Sequence, residues 1–167
     1  MSGNMGNVTS DSDALINDVD IAVAAWHEDG RWSLALLPDA QDLPQIIDRL
    51  KSQQTNGGAI ALLAIDEEFF MIIRVLGSHI KLFLSDISCA LDYETAAEFI
   101  ELCDLDMPEE DDEGLPVGDL DILSDLGVHR MELSTLCDDP DLFPDEQLEA
   151  IANRLGFSEE FAKLLEL

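Results

Sequence analysis

A chain of 167 residues with 47% hydrophobic and 27% charged content holds enough apolar material for one ordinary domain, or for a domain of about 100 residues with a smaller appendage. Its 37 acids against 8 Lys and Arg give a formal charge of −29, and this excludes direct nucleic-acid binding and attachment to anionic membranes, both of which need clustered cations. No apolar run approaches the roughly 20 residues that span a bilayer.

Residues 1–18 have neither the basic start nor the apolar centre of a secretory signal, so they read as a mobile extension and a cytoplasmic location is expected. The next stretch, VDIAVAAWHEDGRWSLALLP, predicts two strands around a turn at His27-Glu28-Asp29-Gly30, with Trp26 and Trp32 flanking it. Asp39 to Gln54 then places Leu43, Ile46, Ile47 and Leu50 on one helical face, with Pro44 in the first turn. Asn56-Gly57-Gly58 stops that helix.

Three apolar runs follow, broken at Asp66-Glu67-Glu68 and at Gly77-Ser78, and predict a three-strand meander. Ile60 to Ile65 is apolar throughout and is expected at the centre of the sheet, covered on both faces. Ser85-Asp86 suits a helix N-cap ahead of a helical stretch that includes Ile87 to Leu91 and Ala96 to Cys103. Strands in antiparallel runs give an α+β class: a five-stranded antiparallel sheet with helices in the order β-β-α-β-β-β-α, an order shared by roadblock-like and profilin-like folds. Residues 19–103 are expected to form this domain.

The segment 104–118 reads as an acidic linker, and Glu109, Glu110, Asp111, Asp112 and Glu113 lie in its centre. No Lys or Arg occurs between Lys81 and Arg130, so their field is uncompensated in sequence. Beyond it, 119–167 reads as a small helical region. A first helix carrying Leu120 to Leu126 starts at Gly118-Asp119 and is closed by Gly127. Others run from His129 to Cys137, from Pro144 to Gly156, and from Ser158 onward. Four short helices make a marginal core, so this part is expected to pack on the first domain or on a partner.

Motifs for chemistry are missing. The acid runs lack the ligand spacing of an EF-hand; Asp104-Leu105-Asp106, for example, is followed by Pro108 and Glu109 at the fifth and sixth positions. His27, His79 and His129 form no HxxxH or HxH pair, and Cys89, Cys103 and Cys137 form no CxxC. Phosphate-cradling glycine loops and a GxSxG elbow do not occur. No catalytic residue, metal site or cofactor is therefore expected.

EDGRW in the hairpin, LFLSD at the strand end, PVGDLDILSDLGV after the acids, and CDDPDLFPDEQLEAIANRLGF near the C-terminus together resemble the actinobacterial tRNA adenosine deaminase-associated proteins. The resemblance covers Val19 to Leu167. It implies association with the enzyme that converts the anticodon wobble adenosine to inosine, and it assigns no catalytic residue. The deaminase's own HxE and PCxxC signature is missing here. The expectation is a non-catalytic accessory protein that docks a basic partner, tRNA adenosine deaminase or another, through Glu109 to Glu113. The alternative is a self-associating homodimeric module whose acids serve solubility only.

Overall fold

The computed structural model describes residues 19–28, 31–37, 43–53, 58–111, 114–139 and 141–165. Strands β1 (Val19–Glu28) and β2 (Arg31–Leu36) form the first hairpin, closed by the pair Glu28 and Arg31; the turn at Asp29-Gly30 lies outside the described residues. Helix α1 (Leu43–Gln53) precedes the meander β3 (Ala59–Ile65), β4 (Phe69–Leu76) and β5 (His79–Leu84). A 3-10 turn at Ile87–Leu91 leads into α2 (Glu94–Leu102). Asp86 is the N-cap of that turn, its carboxylate accepting from Ser88 N–H at 2.9 Å.

All of these strands pair antiparallel, which makes the fold α+β. The sheet has six strands, and not the five expected from sequence. The sixth, β6 (Val117–Gly118), is two residues long and pairs with Phe83 and Leu84 of β5. The order across the sheet is β2-β1-β3-β4-β5-β6. Its short length hid β6, since two residues cannot show a period.

Every residue of β3 is buried, and β4 is buried from Phe69 to Val75. Alternation divides them between two cores. Ala61, Leu63, Met71 and Ile73 face α1 and α2, joined by Leu43, Ile46, Leu50, Phe99 and Ile100. Ile60, Leu62, Phe70 and Ile72 face the opposite side, where Ile122, Leu133, Leu148, Ile151, Phe157 and Phe161 cover them. The second set comes from the C-terminal helices α3 (Arg130–Asp138), α4 (Pro144–Leu155) and α5 (Ser158–Leu165), together with the turns before and between them. Helices thus cover both faces of one sheet.

The helix expected from Gly118 to Leu126 is not formed. Gly118 belongs to β6, residues 120–123 are turns, and only Ser124–Leu126 winds into a 3-10 turn. The Asp119 carboxylate accepts from Asp121 N–H at 2.9 Å, an Asx turn that competes with helix winding.

Gly118 has φ +102, and a Cβ there would lie 2.4 Å from the Leu82 carbonyl oxygen and 2.9 Å from the Phe99 ring. Gly127 has a similar φ of +106 but open space around it. Gly127→Ala is expected to cost about 1–2 kcal/mol, the left-handed strain alone. Gly118→Ala should cost about 3 kcal/mol or more, because the β5 backbone must also move. Urea denaturation of both variants checks this; equal losses would mean that the close approach of β6 to β5 adds nothing.

Candidate docking surface

Three acids after β6 are held by cations from elsewhere in the chain. Arg74 on β4 is buried, and its guanidinium forks onto the Asp125 carboxylate, with Nη2 donating to Oδ2 at 2.9 Å and Nη1 to Oδ1. Nη1 also donates to the Ile122 carbonyl at 2.9 Å. Lys81, directly across from Arg74 on β5, lies 3.8 Å from Asp119, and Arg130 donates to Asp121 at 2.7 Å. Like charges on opposed strand positions repel, so Asp125 and Asp119 offset a cost that the sheet would otherwise carry.

The hydrogen bond from Arg74 holds the Asp125 carboxyl below its usual range, against a smaller opposing effect of burial, and Arg130 does the same for Asp121. Farther along, Arg154 donates to Glu132 at 2.9 Å and to the Gly127 carbonyl at 3.1 Å. These cations fasten the C-terminal region to the sheet and to itself. Nothing in sequence pointed to Arg74, a single Arg in the run FFMIIRVL whose acidic partner is 51 residues away.

The acidic segment is a different case. It leaves the C-terminus of α2, passes the end of the sheet and enters β6. Ile87 N–H donates to the Leu115 carbonyl at 2.9 Å, and Gly114 lies so near the Asp86 carboxylate that a Cβ would come within 2.5 Å. Pro108 is buried within it, while Glu109, Glu110 and Asp111 are exposed. Asp112 and Glu113 lie outside the described residues. Among the described residues, Asp104, Asp106, Glu110 and Asp111 make no ion pair.

Apolar side chains are exposed among these acids. Leu102, Leu105, Met107 and Leu115 are 47%, 40%, 51% and 54% exposed, so exposed acids and exposed large apolar groups are interspersed along the segment. A surface of that kind can take a partner that offers both cations and apolar contacts.

Other features bear on chemistry. Asp20, Asp66, Glu67 and Asp145 line a cleft of about 280 Å³, and Asp66 also accepts from the Tyr93 hydroxyl at 2.7 Å. Among the described residues no group of three or more His, Cys, Asp or Glu is placed to hold a metal ion. Burial, reinforced by the charges of Asp138 and Asp86, pushes the Cys137 thiol up to about 12. Burial and neighbouring acids push Cys89 up as well. Neither is an activated nucleophile at neutral pH. No helix among the described residues is long and apolar enough to cross a membrane.

A family model described as Rv3753c-like tRNA adenosine deaminase-associated protein matches residues 20–158. Protein Rv3753c of Mycobacterium tuberculosis (strain ATCC 25618 / H37Rv) is 37% identical over 149 residues, which cover 86% of this chain and 86% of its own length. No solved structure matches the chain.

The Arg74 fork makes two predictions. Asp125→Ala leaves a buried guanidinium without its carboxylate and is expected to cost about 3 kcal/mol, while adding Arg74→Met to that variant should restore part of the loss. Urea denaturation reads both, and a double variant less stable than Asp125→Ala would contradict the account. The second concerns pH. Because the Asp125 carboxyl is lowered from 3.8 in the folded state, its contribution is complete above the unfolded value and is lost as pH falls through the folded one. The stability difference between the native chain and Asp125→Asn should therefore be flat near neutrality and shrink below about pH 4, as followed by denaturation at each pH.

Proposed function

The chain belongs to the Rv3753c-like tRNA adenosine deaminase-associated protein family, and from that premise we propose that it is a non-catalytic accessory protein. In this reading it docks a basic protein, tRNA adenosine deaminase first among them, through the acidic segment that includes Glu109, Glu110, Asp111, Asp112 and Glu113. The observation that carries the proposal is the contrast between two sets of acids. Asp119, Asp121, Asp125 and Glu132 have internal cations, whereas Asp104, Asp106, Glu110 and Asp111 make no ion pair among the described residues and lie in the same segment as exposed Leu105 and Met107.

The proposal has a physical logic. An enzyme that handles tRNA needs a basic surface for the phosphate backbone. A companion of opposite charge is steered to that surface over a Debye length, and the apolar residues then supply contact that does not fade with salt. Bound there, the companion would compete with tRNA or orient it. The chain's own part is recognition: the Cys89 and Cys137 thiols are held protonated, and the family resemblance assigns no catalytic residue.

The test is size-exclusion with light scattering on the protein mixed with tRNA adenosine deaminase from the same organism. A complex is expected at low salt, weakened at high salt. Replacing the five acids with Ser or Asn should weaken it about tenfold or more and flatten the salt dependence, since each rim charge acts mainly through the long-range field. No complex at any salt would refute the deaminase as partner, and unchanged affinity in the variant would refute the acidic segment as the surface.

A further inference from the structure

The opposite edge of the sheet differs from the acidic one in both charge and hydrogen bonding. Strand β2 is the terminal strand and, among the described residues, pairs with β1 alone. Leu37 N–H donates to the Ala22 carbonyl at 2.9 Å, which fixes the alternation: Arg31, Ser33, Ala35 and Leu37 turn their backbone groups to β1. Trp32, Leu34 and Leu36 then turn theirs outward.

Edge strands normally carry a device against pairing, such as a Pro, a bulge or an inward charge. Between Trp32 and Leu37 there is none, and Leu36 is 48% exposed. The run from Arg31 to Leu37 also contains no acid, in a chain that has 37 of them. A second copy approaching a −29 molecule meets no acid in the strand itself. The acidic segment enters the sheet at β6, five strand spacings from β2, roughly 24 Å at about 4.8 Å each.

We propose that the β2 edge is a self-pairing surface, on which β2 of a second copy of this chain adds antiparallel about a two-fold axis at Leu34. In this register all three outward residues are used: Leu34 lies opposite the partner's Leu34, and Trp32 lies opposite the partner's Leu36. The Trp32 ring is already held edge-on by Phe157, with centroids 5.0 Å apart, so it is fixed in place before the partner's Leu36 arrives. The two sheets become one, an isologous contact of the commonest symmetry. Both acidic segments stay at the far ends. The inference stands apart from the proposal on deaminase docking, because it concerns the other edge and needs no second protein.

The test is light scattering of the full chain across a wide concentration range, with amide hydrogen exchange read residue by residue. A dimer is expected, with exchange at Trp32, Leu34 and Leu36 slowed at least about tenfold as concentration rises, while the amides of exposed loops stay unchanged. Leu34→Pro removes an outward N–H that β1 does not use, and should raise the dissociation constant at least about tenfold. Should that variant fail to fold, Leu36→Glu alters an exposed side chain and puts an acid opposite the partner's Trp32; it should weaken the dimer to a similar degree. A monomer at every concentration would overturn the proposal. So would a dimer indifferent to Leu36→Glu, or edge amides protected only when the deaminase is added, which would make the edge a site for a foreign strand.

Discussion

The structure depends on the need to cover β3 and β4 on both faces. Seven consecutive buried residues in β3 cannot be served by a single helical layer, because side chains alternate across the sheet and half of them would face water. Helices α1 and α2 cover one side. The chain must then cross from that side to the other, and it does so around the β5 edge, through the acidic segment and β6. With Ile60, Leu62, Phe70 and Ile72 each worth about 1.5–3 kcal/mol on burial, the second layer is a requirement of the sheet and no mere appendage. The same argument applies to the short helices, which lack the material for a core of their own and borrow one from the sheet.

Crossing the edge brings acids against the strand ends, and electrostatics decides which of them become structural. Arg74 is the critical case, since a guanidinium buried on β4 is tolerable only with a carboxylate and a carbonyl brought to it. That demand places Ile122 and Asp125, and with them the first turn of the second layer. The short β6 sets the phase. Its pairing with Phe83 and Leu84 delivers Asp119 to Lys81, and the fork on Arg74 follows six residues later. Upstream of β6, Asp104, Asp106, Glu110 and Asp111 make no ion pair among the described residues and are exposed.

Much of this was legible in the chain, for identifiable reasons. The continuous apolar run at Ile60 to Ile65 marked the central strand, and the spacing of Leu43, Ile46, Ile47 and Leu50 marked α1, because these are periodic signals that one face of one element must satisfy. Asp86 as a cap and Gly156 as a left-handed stop were local chemistry and readable as such. What escaped was non-local. The run PVGDLDILSDL has helical spacing of its apolar residues, yet Gly118 and Asp119 are taken by β5 and by an Asx turn, and tertiary pairing overrides the period. Arg74 was equally silent, since its importance comes from burial and from a partner in a different layer. The acidic residues at 109 to 111 were legible as charge, but their placement beside exposed Leu105 and Met107 follows from the edge crossing.

The topology also explains why charge is unevenly distributed between the two edges. The β2 edge is reached early in the chain by a hairpin, so the strand needs no crossing segment and, among the described residues, turns the outward backbone groups of Trp32, Leu34 and Leu36 to no other strand. The β6 edge is where the chain changes faces, and the segment that does so is solvated on its outer side and can hold acids at little cost. A sheet with one crossing edge and one hairpin edge therefore acquires a polar end and a neutral end from connectivity alone. Pairing at the neutral end would leave the polar end open, and occupation of the polar end by a basic partner would leave the backbone groups of β2 untouched. The two surfaces lie at opposite edges of one sheet, so coupling carried by the sheet would have to pass through β1, β3, β4 and β5, whose dense packing resists graded distortion.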